Sequence, residues 1–178
     1  MNNKMKNFIY SLISGRLDAA EKYTGESLEY LRHIARTSLV AFFKFALFTP
    51  LSQHRKKLPV EAFHVARLVA TRNEDCGTCV QIVVNVARRE KVPVETLRAV
   101  LESRPEDLPA DLRDVYHFAD EVVKATYAEE EYRARLRERY GEEGLVELAL
   151  AIASARVFPV TKRALGYALS CSKVEVSL

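Results

Sequence analysis

The chain has 178 residues, a formal charge of +3 from 27 Lys plus Arg against 24 Asp plus Glu, and 48% hydrophobic residues, which suits one well-packed core and is short for two. Acids and bases are mixed along the whole chain, so no single-sign surface forms and nucleic acid is set aside as a partner; six Gly and six Pro are too few for a turn-rich sandwich or a collagen-like repeat. No apolar run of membrane-spanning length occurs and Phe8 to Ile13 is short for a signal-peptide core, so the expectation is a soluble cytoplasmic protein without a membrane partner.

Residues 1–25 are polar with scattered apolar positions (Phe8, Ile9, Leu12, Ile13, Leu17), are punctuated by Gly15 and Gly25, and read as a loosely attached arm or a short helix; 26–178 read as a single helical domain. From Ser27 to Phe48 the residues Leu28, Leu31, Ile34, Ala35, Leu39, Phe42, Phe43, Ala46 and Leu47 recur at three- and four-residue steps, which predicts one amphipathic helix ended by Pro50. Its second half is apolar almost all round, so it is expected to pack into a core, cover a pocket or meet another subunit.

Leu58 to Ala70 predicts a helix, with Pro59 at its first position and Glu61 near its positive end. The polar string Thr71 to Asp75 interrupts it. From Cys76 through Arg89 a second helix is expected, because the apolar pattern outlasts a typical strand. Pro93 opens a helix to about Ser103, Arg104 to Pro109 make a connection, and Asp111 to Tyr127 are helical again. Glu129 to Glu143 alternate charges as a solvated face does. Leu145 to Phe158 are nearly all apolar and should form the most buried helix, broken by Pro159, before a short helix from Thr161 to Ser170.

Three cysteines are too few and too odd in number for a secreted disulfide scaffold. Cys76 and Cys79 stand three residues apart on one helical face, so they can close a disulfide, share a metal or simply fill core. A helix start at Cys76 would favour thiolate, with Arg72 assisting and Glu74 and Asp75 opposing. A zinc site needs two more ligands, and only His33, His54, His64 and His117 exist, none in a close pair. No metal or other cofactor is expected. Cys171 reads as exposed and incidental.

The segments Leu58-Pro-Val-Glu, Ala66-Arg-Leu-Val-Ala, Cys76-Gly-Thr-Cys and Ala87-Arg-Arg-Glu-Lys-Val-Pro-Val-Glu together resemble the core of the carboxymuconolactone decarboxylase superfamily, the alkyl hydroperoxidase D-like all-helical proteins. The resemblance implies an all-α, compact multi-helix fold in which a helix pair carries the active site, assembled into dimers, trimers or hexamers. In the redox branch the second cysteine attacks peroxide and the first resolves the sulfenic acid. Those roles fall on Cys79 and Cys76. That branch also uses a Glu twelve residues before the first cysteine and a His four after the second; here those places hold His64 and Val83. Valine passes no proton, so His64 becomes the candidate base, or the cation that holds the thiolate, provided it packs against Cys79.

The expected function is a thiol-dependent peroxidase or disulfide reductase using Cys79, Cys76 and His64, with a small peroxide as substrate and an external thiol as reductant. Two rivals stand beside it. One is a non-catalytic, oligomeric small-molecule-binding member with Leu39 to Phe48 as a lid; the other is a decarboxylase or lyase acting on a small acid, which needs Arg67 or Arg72 to face a pocket.

Overall fold

All regular structure in the computed structural model, which describes residues 3–168 and Leu178, is helical. In chain order the elements are α1 (Asn3–Thr24), α2 (Glu29–Thr37), α3 (Leu39–Ala46), α4 (Phe48–Ser52), α5 (Val60–Asn73), α6 (Gly77–Arg89), α7 (Val94–Leu101), a 3-10 turn (Pro105–Asp107), α8 (Ala110–Lys124) and α9 (Glu130–Ala164).

The core forms around α5, which packs against α6, α7, α8 and α9. Ala62, Ala66 and Ala70 recur at four-residue steps and let neighbours approach closely, while Phe63, Val65, Leu68 and Val69 fill the remaining sides. Each such aliphatic side chain contributes about 1.5–3 kcal/mol of burial. This makes α5 the most buried helix, a place the sequence reading gave to Leu145 to Phe158. That stretch leaves Val146, Ala149 and Ala153 exposed. Pro59 stands just outside α5 with extended backbone (φ −54°, ψ 146°), and Glu61 lies in its first turn.

α6 has two apolar faces, which accounts for its run of valines. Val80, Val83, Val84 and Ala87 enter the main core, and Ile82 enters a second cluster with Ile13 and Leu17 of α1, Tyr30 and Ala35 of α2, and Phe42 and Phe45 of α3. The N-terminal residues therefore form a long helix whose inner face is docked, with Phe8 and Leu12 on its exposed face.

The single helix expected over Ser27 to Phe48 is three. At Ser38 the backbone is extended (φ −152°, ψ 108°), and its hydroxyl accepts the Ala41 N–H at 3.2 Å, capping α3 while its own N–H closes α2 on Ile34 O. Pro50 lies inside α4 instead of ending a helix; in a first turn no N–H is required of it. No residue of α3 is buried, and Val40, Phe43 and Leu47 are 67%, 54% and 69% exposed.

Two corrections concern α9. Its break falls at Gly141 (φ 71°, ψ 179°), a conformation open essentially to glycine alone. Pro159 does not end it: the helix runs on to Ala164, and the final helix expected from Thr161 is its continuation. Ser170 and Cys171 lie outside the described residues. One 18-residue window of α9 has a mean hydropathy of 1.5, long and apolar enough for a bilayer by length and composition, and 44% of it is buried in the fold. A core helix passes the same test.

Glu147 on α9 ties the connection before α5 to the bundle. Its carboxylate accepts the backbone N–H groups of Lys56 (2.8 Å), Lys57 (3.0 Å) and Leu58 (3.0 Å). Burial alone would raise its pKa, but these three donors outweigh that and hold it below the usual carboxylate range.

Candidate active site

α5 and α6 form an antiparallel hairpin joined by Glu74, Asp75 and Cys76, and the cysteines lie at its tip. Asp75 turns the chain with a left-handed backbone (φ 47°), a conformation that Asp tolerates better than most residues. Cys76 then caps α6 with extended backbone (φ −124°, ψ 92°), and its carbonyl accepts the first helical N–H, that of Val80, at 2.9 Å. The amides of Gly77, Thr78 and Cys79 thus have no acceptor within the helix and point toward its N-terminal end. Cys79 sits in that first turn. The two Cα atoms are 5.2 Å apart and the sulfurs are bonded as a disulfide. Cys76 is fully buried and Cys79 is 7% exposed, so the second cysteine is the one that solvent reaches.

The charges around this tip differ from those expected. Glu74 is buried and held by Arg156 Nε at 2.6 Å and Arg163 Nη1 at 3.5 Å, both from α9, so its opposition to a thiolate is largely neutralised. Arg72 gives the cysteines no help. It donates to Val100 O, to Ser103 Oγ at 2.7 Å and to Tyr116 Oη at 2.9 Å, capping the C-terminal end of α7.

A residue that sequence reasoning missed supplies the cation. Lys162 of α9 is 5% exposed, and its Nζ donates to Thr78 Oγ1 at 2.5 Å; that oxygen lies 3.7 Å from Cys76 Sγ. Burial lowers the Lys162 pKa, opposed by the charge of Glu26, while burial raises Glu26, opposed by Lys162. The ammonium also stands 5.9 Å over the Tyr30 ring. The only sequence signal for Lys162 is helical phase: Leu148, Ala151, Ala155, Pro159 and Lys162 are all buried and step by three or four residues. Reading Pro159 as a terminus erased it.

His64 is not at the cysteines. It is wholly buried near the start of α5, with Nε2 3.2 Å from Glu90 Oε2 at the far end of α6. Glu90 is eleven residues beyond Cys79, about 16 Å along the helix. The approach is bent away from hydrogen-bond geometry, and both ring nitrogens lack a hydrogen-bond partner. Burial, reinforced by the charge of Arg67, pushes the His64 pKa down to about 4 despite Glu90, so the ring is neutral. The role of base or cation for Cys79 is therefore corrected: a buried neutral imidazole at the opposite end of the hairpin performs neither. Val83 lies in the core between the two ends.

Arg67 lines neither of the two surface concavities that border α1 and α2. Its guanidinium packs 5.2 Å over the Phe63 ring, and burial lowers its pKa to about 10, with Glu90 and Tyr23 opposing. Two surface concavities border α1 and α2, one lined by Asp18, Glu21 and Glu26 and the other by Tyr10, Leu17 and Arg32; neither is lined by α5 or α6. Among the described residues no group of three or more His, Cys, Asp or Glu could hold a metal ion. His33 pairs with Tyr167 at 3.1 Å and His117 stacks on Tyr132.

The arrangement can store two electrons: a vicinal dithiol at a helix start, one sulfur shielded and one reachable, with a buried ammonium one hydroxyl away. Comparison with protein-family models, with curated proteins and with solved structures finds no match to this chain.

Proposed function

We propose that the protein is a thiol-dependent oxidoreductase that cycles Cys76 and Cys79 between dithiol and disulfide, reducing a small peroxide or a disulfide at the expense of an external thiol. The observation that carries this reading is the pairing itself: two cysteines at bonding distance at the start of α6, where the positive end of the helix favours thiolate.

The steps balance as follows. The Cys79 thiolate attacks the terminal oxygen of the peroxide, the O–O bond breaks, and the departing alkoxide takes a proton and leaves as alcohol. Cys79 is now a sulfenic acid. The Cys76 sulfur attacks it, the S–S bond forms, and the hydroxyl leaves with a proton as water. Two external thiols then return the pair to the dithiol and are themselves oxidised to a disulfide. Cys79 as the attacking residue agrees with its exposure, small as it is, against none for Cys76.

The redox reading is preferred to the rival of a lidded small-molecule pocket because α3, the lid of that rival, packs on α2 and α4, and the two surface concavities bordering α1 and α2 are not lined by α3, α5 or α6. Thiol counting on reduced protein after an organic hydroperoxide tests the proposal. The wild type should lose two thiols, and the Cys76→Ser and Cys79→Ser variants should form no intramolecular bond. An unchanged count in the wild type would leave two structural cysteines and no redox function.

A further inference from the structure

The tip of the hairpin carries a chain of groups that the disulfide chemistry above does not assign: Lys162 Nζ, Thr78 Oγ1 and Cys76 Sγ, joined by legs of 2.5 Å and 3.7 Å. A buried lysine loses its hydration and is retained at a cost unless it has a task. Here the ammonium crosses from α9 to a hydroxyl between the two cysteines.

We propose that Lys162 and Thr78 are positioning residues for the Cys76 sulfur: Lys162 donates to the Thr78 oxygen, which leaves the hydroxyl hydrogen free to point at Sγ and hold the charge that Cys76 carries when the disulfide opens. This rests on the redox reading and deepens it by assigning the leaving group. An external thiolate attacks Cys79 Sγ, the more exposed sulfur, and forms a mixed disulfide with it. The Cys76–Cys79 bond breaks and its electron pair stays on Cys76, now a thiolate facing the Thr78 hydroxyl. A second reductant thiol then releases Cys79 by attacking the reductant's own sulfur. A leaving thiol of lower pKa departs faster, so the Lys162–Thr78 pair speeds the opening of this bond.

The charged and titratable groups around that sulfur come from four places. Glu74 and Asp75 belong to its own loop, and Glu74 is occupied by Arg156 and Arg163. Lys162, Arg156 and Arg163 come from α9, Glu26 from the α1–α2 connection, and Tyr30 from α2. Of the cations, Lys162 is the one bonded to a group in contact with the cysteine.

The test is a titration of Cys76 followed by ultraviolet thiolate absorbance, which does not require a reagent to reach a buried sulfur. Full-length reduced protein carrying Cys79→Ser and Cys171→Ser leaves Cys76 as the sole thiol. In that background Lys162→Met and Thr78→Val should each raise the midpoint by about one pH unit, a tenfold loss of thiolate at fixed pH, as expected for removing a charge or hydrogen bond from the charged form. Thr78→Ser should restore it. Coincident midpoints in all four proteins would overturn the proposal. Should Lys162→Met fail to fold, judged by circular dichroism, the nearly isosteric Thr78→Val and Thr78→Ser pair decides alone. No peroxide enters this measurement, so the two failures are distinguishable: coincident midpoints overturn the role of Lys162 and Thr78 even in a protein that cycles its thiols, whereas an unchanged thiol count after hydroperoxide overturns the redox reading and with it the leaving-group role, whatever the midpoints.

Discussion

The two ends of the α5–α6 hairpin hold similar ingredients and put them to different uses. At one end a buried histidine stands against Glu90, with two guanidiniums, Arg55 and Arg67, on the Phe63 ring. At the other a buried lysine meets a threonine beside a disulfide. Burial and the charge of Arg67 lower the His64 pKa by more than the facing Glu90 carboxylate raises it. Lys162 keeps a hydrogen-bond acceptor and a carboxylate's field. The lesson is that an ionisable residue becomes chemical equipment through what lies within one hydrogen bond of it. Being buried on the right helix is not enough.

The comparison can be broken most sharply by rates. Replacing Cys79 with Ser should reduce hydroperoxide turnover by more than about 100-fold, whereas His64→Leu should leave it within about threefold, because loss of a general base costs about 100-fold or more only where the base is used. A collapse of turnover in a folded His64→Leu protein would restore the histidine to the mechanism. The pH dependence of stability comes next. His64 has a folded pKa below its unfolded value of about 6.5. Above that pH both states are neutral and it contributes nothing. As pH falls from 6.5 toward 4 the unfolded chain binds a proton that the folded one refuses, and stability drops by on the order of 1–3 kcal/mol. Denaturant unfolding across that window should show the fall in wild type and a clear flattening in His64→Leu.

The smallest effect concerns the uncovered face of α3. Phe43→Ser should change monomer stability by no more than about 0.5 kcal/mol, since the ring is 54% exposed. If a second copy covers that face, as the expected oligomer requires, the same substitution should lower the mass seen by light scattering at micromolar concentration. An equal mass for both proteins would move any assembly to another surface.

Much of this architecture is legible without coordinates. The three- and four-residue steps of Leu112, Val115, Phe118 and Ala119 place α8, and the continuation of the apolar pattern through Val86 and Ala87 correctly makes α6 a helix. The spacing of Cys76 and Cys79 permits a disulfide, a shared metal or core filling, and the structure joins the two sulfurs. What escaped has physical reasons. Ser38 splits a periodic run because one side-chain cap outweighs an uninterrupted apolar pattern. Pro159 predicts a terminus, yet α9 continues through it, and only that continuation reveals the helical phase that buries Lys162. Glu74 looked like a repelling charge because its partners, Arg156 and Arg163, are more than eighty residues away. His64 is a candidate because it stands at the relay position that the resemblance implies, and position along the chain does not report which end of a hairpin a side chain occupies.

The three amides gathered by Glu147 also set a boundary for motion. Helices α1 to α3 share their own small cluster, α4 packs on α3 and α9, and the four touch the remainder mainly through α6 and α9, so they are the part of the molecule whose local opening exposes the least core. Such an opening can run along the chain only as far as residue 55. At Lys56 the backbone is gripped by a carboxylate that belongs to α9, about ninety residues later. Slow amide exchange should therefore begin abruptly at Lys56, ahead of the first turn of α5, with a buried side chain marking where the looser N-terminal part of the protein ends.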